Sequence, residues 1–257
     1  MAHARQARAE IVSALRSAGC VYAEKEAQLL DEAASTRTEL ERLVARRVAG
    51  EPLEHVLGWV FFHGRRIAVR PGVFVPRRRT EYLVDCTIDL AGPGAVIVDM
   101  CCGCGAVGAV LVTAVHPCEV YAADIDPVAV DCARLNLPAD RVFAGDLCTA
   151  LPEGLRGRID VLVANAPYVP SAAIGSMPRE ARCNEPRLAL DGGLDGLDIH
   201  RRLVTDAVRW LAAAGSLLVE SAAVQAPAVE TLMARAGLHA ITRHSEELDA
   251  TVVIGTR

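Results

Sequence analysis

The part of the sequence with the most potential for chemistry is VDMCCGCGAVGAV, residues 98–110. Three patterns overlap in it. Two cysteines are separated by two residues, the Cys-x-x-Cys spacing of metal sites and redox dithiols. Three glycines have the Gly-x-Gly-x-x-Gly spacing of a dinucleotide-binding turn. An aspartate precedes the first glycine by four residues, a spacing found in proteins that bind S-adenosylmethionine.

The two cysteines, Cys101 and Cys104, do not predict a metal site. A structural zinc site needs four ligands, usually in two closely spaced pairs. The chain has no second Cys or His pair at matching spacing, and its seven histidines are scattered. The glycines beside these cysteines suit a backbone turn better than thiol exchange. We therefore expect small side chains packed under a tight turn, and no bound metal.

The glycines predict a nucleotide site. They follow an apolar strand and precede a helix, where backbone N–H groups and small residues let a ligand approach closely. Asp124 ends the next predicted strand, 21 residues after Gly103. A carboxylate at that place accepts hydrogen bonds from ribose hydroxyls. NAD and S-adenosylmethionine both carry this ribose, so Asp124 does not distinguish between them.

Asp99 distinguishes the two cofactors by its charge. In an NAD site the first glycine follows the strand almost directly, whereas here Asp99 lies four residues before Gly103. A carboxylate repels a pyrophosphate but attracts the ammonium group of a methionine moiety. The pattern therefore favours S-adenosylmethionine.

A second motif, Asn165-Ala166-Pro167-Tyr168, follows the fourth predicted strand, at the edge where an open α/β sheet binds ligands. The Asn165 side-chain oxygen and the Ala166 carbonyl can accept the two hydrogens of an amide or aromatic amino nitrogen. Pro167 keeps Ala166 extended, and Tyr168 supplies a flat, electron-rich wall. The motif predicts methyl transfer to a planar nitrogen.

Helices and strands must position these motifs. Residues 4–18, 23–34 and 37–48 show helical spacing of apolar residues, and residues 58–79 alternate like a hairpin around His63 and Gly64. A Gly- and Pro-rich turn follows. Strands and helices then alternate. The predicted strands are 95–100, 119–124, 141–145, 160–165, 215–221, 238–244 and 250–256, and the predicted helices are 106–116, 127–136, 198–212 and 223–236.

This alternation predicts the α/β fold class. Strands that are nearly all apolar and alternate with helices form a parallel sheet covered on both faces. The last two of the seven predicted strands look like a terminal hairpin, which makes one strand antiparallel. We expect a helical part over residues 1–57, a hairpin and linker over 58–90, and a Rossmann-like domain over 91–257.

Composition narrows the class of protein. The chain of 257 residues is 52% hydrophobic and long enough for a large core. Its start is charged, with no apolar segment of a targeting signal behind it, and its longest apolar run is far shorter than the roughly 20 residues that span a bilayer. Nine cysteines without such a signal suggest reduced thiols. These features predict a cytoplasmic protein that does not enter a membrane.

Charge argues against a general nucleic-acid binder, because the formal net charge is −5. Residues 42–79 are an exception, with nine arginines and two glutamates. Nucleic acid is therefore an unlikely partner, although this basic segment leaves it open.

The chain resembles the HemK/PrmC family, which methylates the glutamine side-chain amide of peptide-chain release factors. Residues 185–203 are the most family-specific, because adenine-modifying enzymes share the Asn-Pro-Pro-Tyr type of motif without that segment. The likeness covers the turn from Asp99 to Gly105 and residues 50–85, 122–136, 145–147, 165–170, 185–203 and 218–225.

The resemblance implies a fold and a set of site residues. It implies a small N-terminal helical domain that recognises substrate, a linking hairpin, and a class I S-adenosylmethionine-dependent methyltransferase domain. The substrate, a release factor or another protein, would meet residues 165–168. The cofactor contacts, with Asp99 added on its charge, would be Asp99, Cys101, Cys102, Gly103, Cys104, Gly105, Asp124, Ile125, Asp146, Leu147 and Asn165.

The chain also departs from the family pattern. Ala166 replaces a proline, Arg78 and Arg79 stand where the family has Pro and Glu, and the glycine turn contains cysteines. These differences predict a divergent branch. They leave three alternatives open: an adenine amino-group methyltransferase acting on DNA or RNA, an NAD-dependent oxidoreductase, and a cofactor-binding protein without catalysis.

Overall fold

The N-terminal part of the chain is helical. A computed structural model describes residues 2–257, with side chains from residue 8 onwards. The first four helices are α1 (Ala2–Ser17), α2 (Ala23–Ala33), α3 (Arg37–Val48) and α4 (Leu53–Leu57). The first three confirm the predicted helices; α4, at five residues, is too short for apolar periodicity to reveal.

These helices enclose a small apolar core of their own, which includes Leu15, Leu30 and Val56. The start of α3 is fixed by a reciprocal cap. The Thr36 hydroxyl accepts the Glu39 N–H at 3.2 Å, and the Glu39 carboxylate accepts the Ser35 N–H at 2.9 Å. This pair of bonds resembles a capping box, with the N–H of the residue before the N-cap in place of the N-cap's own.

The predicted hairpin is present but shorter than its alternating sequence. Strands β1 (Trp59–Phe62) and β2 (Arg65–Ala68) pair antiparallel. His63 and Gly64 both have positive φ, as a two-residue primed turn requires. Residues 69–79 form no strand because the chain turns back at Gly72, with φ of +82°, and buries valines without pairing.

The α/β prediction is confirmed by one seven-stranded sheet of order β5-β4-β3-β6-β7-β9-β8. Only β9 runs antiparallel to its neighbours. The strands are β3 (Val96–Met100), β4 (Glu119–Asp124), β5 (Val142–Ala144), β6 (Ile159–Ala164), β7 (Leu211–Ser221), β8 (His239–Ser245) and β9 (Ala250–Thr256).

Helices cover both faces of this sheet. The hairpin, α5, α6 and α7 pack on one face, and α9 and α10 on the other. The predicted helices are present; α5 and α8 were not predicted. Their bounds are α5 (Glu81–Leu90), α6 (Ala106–Ala114), α7 (Pro127–Ala133), α8 (Arg179–Asn184), α9 (Asp198–Trp210) and α10 (Ala226–Arg235).

Strand order places a ligand crevice at the middle of the sheet. From β3 the chain first builds outward through β4 and β5, then returns to place β6 on the other side of β3. Ligands bind at the carboxyl ends of strands where the order reverses in this way. Asp99, Asp124 and Asn165 lie at or just beyond those ends.

The division at residues 57 and 90 remains a proposal. Helix α5, inside the proposed linker, packs Leu83, Val84 and Cys86 into the same core layer as the strands. Among the described residues, no helix has both the length and the apolar character needed to cross a bilayer.

Candidate active site

A cavity of about 360 Å³ lies at the carboxyl ends of the central strands. It brings together every predicted site residue except Gly105: Asp99, Cys101, Cys102, Gly103, Cys104, Asp124, Ile125, Asp146, Leu147, Asn165, Ala166, Pro167 and Tyr168.

Gly105 shapes the glycine turn from behind and does not line the cavity, so its cofactor contact stays a prediction. It precedes α6 with φ of +76°. A Cβ there would lie 3.0 Å from the Leu137 side chain and 3.2 Å from the Ala133 Cβ. Its lack of a side chain lets α6 pack against these residues, and the cavity wall is formed by its neighbours.

The cysteines of the turn are packed. Cys101 has φ of +57°, a left-handed conformation that costs a non-glycine residue about 1–2 kcal/mol. Burial raises the pKa of the Cys101, Cys102 and Cys104 thiols. They therefore stay protonated at neutral pH and are poor metal ligands or nucleophiles. Within the described part of the chain, no three His, Cys, Asp or Glu residues form a metal-binding group.

Asp124 ties the end of β4 to the glycine turn. Its Oδ2 accepts the Gly103 N–H at 2.8 Å, and its Oδ1 accepts the Asp126 N–H at 2.9 Å. Burial raises the pKa of this carboxyl, while the two N–H donors act in the opposite direction. Each carboxylate oxygen keeps a lone pair for a further donor. The carboxylate is thus held in the cavity wall and can still accept ribose hydroxyls.

Asp99 is a buried acid facing the same cavity, with 2% of its surface exposed. Its Oδ2 accepts the Gly108 N–H at 2.8 Å. Burial raises the pKa of Asp99 to about 8, and the nearby Asp124 charge adds to the effect. A buried carboxyl with one hydrogen bond fits a cation as its partner. The ammonium group of S-adenosylmethionine would supply that cation.

The replacement Asp99→Asn is expected to stabilise the cofactor-free protein at pH 7.5 and to weaken cofactor binding. Unfolded chains release the Asp99 proton near pH 3.8, whereas the folded protein keeps it to about pH 8. Stability therefore falls as pH rises through this window. Removing the acid should raise the unfolding free energy by roughly 1–3 kcal/mol at pH 7.5. Cofactor affinity should fall about tenfold.

Thermal melts at pH 5 and 7.5, with calorimetry of cofactor binding, check this prediction. The gain in stability should be larger at pH 7.5 than at pH 5. The exposed Asp140 offers a matched control, and Asp140→Asn should change neither quantity. A loss of stability in Asp99→Asn at pH 7.5 would contradict the assigned role.

The side-chain amide of Asn165 has a defined orientation. Its Nδ2 donates to the Thr80 hydroxyl at 3.1 Å, which leaves Oδ1 as the acceptor towards the cavity. Thr80 is 3% exposed and ends the short turn Arg78–Thr80 before α5. Sequence reasoning included Thr80 in a family-like segment but gave it no role. That segment was the only signal for it.

The family-like segment 185–203 wraps around the backbone of the Asn165–Tyr168 motif. A Cβ on Gly192 would lie 2.7 Å from the Pro167 carbonyl oxygen, and one on Gly196 would collide with the Tyr168 carbonyl. The close approach therefore requires glycine at both positions. Gln225 also donates to the Tyr168 carbonyl, at 3.0 Å.

The remaining predicted cofactor residues form the far end of the cavity. Ile125 is 48% exposed and offers an apolar face. Leu147 is buried with positive φ, directly after Asp146. The Asp146 carboxylate accepts from the Arg202 guanidinium at 2.5 Å. This end suits a flat, partly polar ring such as adenine, and the assignment to adenine remains a proposal.

Three arginines line the cavity. Arg77 pairs with Glu185 at 2.6 Å, and Arg202 pairs with Asp146. Arg79 has no carboxylate within 4.0 Å among residues whose side chains are described. The wall beside Tyr168 therefore carries a cation with no direct counterion.

Ala166 meets the condition for a tolerated proline. It is buried, and across residues 2–257 its N–H has no hydrogen-bond acceptor. Ala166→Pro keeps the carbonyl that the mechanism needs. We expect this variant to be more stable by roughly 0.4–1 kcal/mol and to keep its methyl-transfer rate. Denaturant unfolding and single-turnover transfer check this, and a lost rate with intact folding would contradict it.

Comparisons with known proteins agree with this geometry. Residues 65–179 match the family model of the methyltransferase small domain. The release factor glutamine methyltransferase of Streptomyces coelicolor is 40% identical over 71% of this chain and 67% of its own length. A 4-amino-L-phenylalanine/4-methylamino-L-phenylalanine methyltransferase of Streptomyces pristinaespiralis is 33% identical over 76% of this chain and 69% of its own length.

A solved structure supports the fold. The crystal structure of a methyltransferase from Pyrococcus furiosus superposes with a TM-score of 0.56, at 18% identity, over 82% of this chain and 96% of that one. At this identity the likeness shows the fold alone. The family model and the curated relatives make S-adenosylmethionine, and not NAD, the cofactor of the glycine turn. The chain belongs to the release factor glutamine methyltransferase family, with a Rossmann-like class I fold.

Proposed function

We propose that this protein methylates the side-chain amide nitrogen of a glutamine in a peptide-chain release factor. The observation that carries the proposal is the orientation of Asn165. Its Nδ2 is engaged by Thr80, so its Oδ1 and the neighbouring Ala166 carbonyl form a pair of acceptors at the cavity. Such a pair suits a nitrogen with two hydrogens.

The chemistry needs this pair because an amide nitrogen is a poor nucleophile. Its lone pair is delocalised into the carbonyl group. Two acceptors that bind its two hydrogens hold the nitrogen in place and favour its pyramidalisation, which returns the lone pair to the nitrogen. S-adenosylmethionine, when bound, supplies the methyl group. No strong base is required, since the proton can leave to water after transfer.

Two acidic residues of the cavity would bind different parts of the cofactor. Asp124, fixed by the N–H groups of Gly103 and Asp126, would hold the ribose hydroxyls. Asp99, whose Oδ2 accepts the Gly108 N–H, would pair with the ammonium group. These roles place the donor at the ends of β3 and β4 and the acceptor at the end of β6.

The N-terminal helices support a protein as acceptor. The buried Arg47 of α3 pairs with Glu26 of α2 at 2.7 Å and reaches Glu180 of α8 at 3.1 Å. Asn184 of α8 donates to the Gly50 carbonyl at 3.2 Å. Residues next to α8 line the cavity. The helical part is thus anchored beside the cavity mouth, where it can contact a macromolecule.

Labelled methyl transfer into a cell lysate tests the class of acceptor. Under the proposal, label enters material that protease degrades and nuclease does not. Nuclease-sensitive label would support the adenine alternative instead. Label in small molecules would indicate an aromatic amine, as in the Streptomyces pristinaespiralis relative's name. Absence of transfer with bound cofactor would indicate a protein without catalysis.

A further inference from the structure

Glu220 is a buried carboxyl that the reaction described above does not use. It lies in β7 with 1% of its surface exposed. Val219 of β7 pairs with Ala164 of β6. The residues that follow them, Glu220 and Asn165, are therefore neighbours on the same face of the sheet. The carboxyl therefore lies beside the residue that holds the acceptor nitrogen.

One oxygen of this carboxyl is used and the other is not. Oε1 accepts the Tyr168 hydroxyl at 3.0 Å. Oε2 is buried and has no hydrogen-bond partner within the described side chains. Burying a carboxyl that is only partly satisfied is destabilising. Such a group directly behind Tyr168, which does line the cavity, indicates a role other than stability.

Thr80 is the side-chain partner of the Asn165 amide and also influences the Glu220 carboxyl. The Thr80 oxygen accepts the Asn165 amide, so its own hydroxyl proton is available to another acceptor. Burial raises the pKa of Glu220, and the Thr80 and Tyr168 hydroxyls and the charges of Arg79 and Arg77 offset part of that rise. The carboxyl thus faces the two hydroxyls that border the Asn165–Tyr168 motif.

We propose that Glu220 is a positioning residue for methyl transfer, which fixes the Tyr168 ring through its hydroxyl, beside Asn165. This inference rests on the proposed function. In the transfer the nitrogen lone pair forms the new N–C bond, the S–C bond pair leaves with sulfur, and the nitrogen loses a proton to water. The reaction succeeds only when the nitrogen is in line with the S–C bond, so a loose Tyr168 or Asn165 lowers the rate.

The test compares Glu220→Ala, Glu220→Gln and Tyr168→Phe in single-turnover transfer with saturating cofactor and acceptor. Glu220→Ala should lower the rate by about 10- to 100-fold, with cofactor affinity within about threefold of the parent. Glu220→Gln keeps an oxygen for Tyr168 and should recover at least about tenfold relative to Glu220→Ala. The rate loss of the double variant Glu220→Ala with Tyr168→Phe should be far smaller than the two single losses combined, because the two residues act as one unit.

Thr87→Ala is the control for a merely structural effect. Thr87 is buried in α5 and donates to the Leu83 carbonyl at 2.8 Å, away from the cavity. The Thr87→Ala variant should be less stable than the parent but should transfer methyl groups at the parental rate. The inference is overturned if Glu220→Ala keeps the parental rate, or if the transfer rate falls as far in Glu220→Gln as in Glu220→Ala. Asn165→Ala in the same assay separates the two proposals: parental transfer by that variant would reject the proposed function itself.

Discussion

Asn165→Ala is expected to lower single-turnover methyl transfer by about 10²- to 10³-fold, the usual cost of removing one preorganised polar contact to a transition state. The Asn165 oxygen is preorganised because Thr80 binds the amide nitrogen at 3.1 Å. Alanine removes the acceptor and leaves nothing to replace it. Folding should change little, because the amide makes a single hydrogen bond.

Cofactor affinity should fall much less in this variant, since Asp124 and the glycine turn remain in place. The control is Thr231→Ala, which removes an exposed polar side chain of α10 that donates to the Pro227 carbonyl, away from the cavity. That control should transfer methyl groups at the parental rate. If Asn165→Ala does the same, the Asn165–Tyr168 motif is only a turn and the mechanism is wrong.

Asp124→Ala is expected to weaken S-adenosylmethionine binding by about 100-fold. The carboxylate accepts two backbone N–H groups, from Gly103 and Asp126. Its loss leaves both donors unpaired and removes the acceptor for the ribose. Two charged hydrogen bonds of about 1.5 kcal/mol each account for this factor.

Isothermal titration with the cofactor and with its demethylated product checks the prediction. Both ligands carry the ribose, so both should lose affinity together. The exposed Asp131 provides a control, since Asp131→Ala removes an equal charge on α7 away from the cavity. Binding within threefold of the parent in Asp124→Ala would contradict the ribose assignment.

Local sequence patterns predicted the strands that carry the site and most of its lining. Asp99, Asp124 and Asn165 were identified because each ends, or directly follows, an apolar strand. In a parallel sheet the carboxyl ends of the strands lie at the same edge, independently of how the other elements pack. The glycine turn was visible for the same reason, since its spacing is set by the chain itself.

The residues that support the site were not predictable in this way. Thr80 contacts Asn165 across 85 positions of sequence, and Glu220 contacts Tyr168 across 52. These contacts depend on how α5 and β7 pack against β6. Helix α5 itself was missed. The packing role of Gly105 was also not predictable, because a motif gives the spacing of a turn but not which of its residues face the cavity.

The departures from the family pattern have local structural explanations. Ala166 contributes its carbonyl, which any residue has, so the loss of proline leaves the acceptor in place. Cys101 adopts a left-handed backbone that glycine would adopt without strain, and its side chain packs against the core layer beneath the turn. Arg78 reaches the Glu247 carboxylate between β8 and β9 at 3.4 Å, an exposed ion pair that contributes little to stability.

Mass spectrometry of a purified release factor after incubation with this protein and isotopically labelled S-adenosylmethionine tests the central claim most directly. Fragmentation locates the added methyl group within the acceptor. The account predicts one labelled methyl group on the side-chain amide of a glutamine, and none when Asn165→Ala replaces the parental protein. A methyl group on any other type of residue, or a release factor that stays unmodified while the lysate's nucleic acid is labelled, would contradict it.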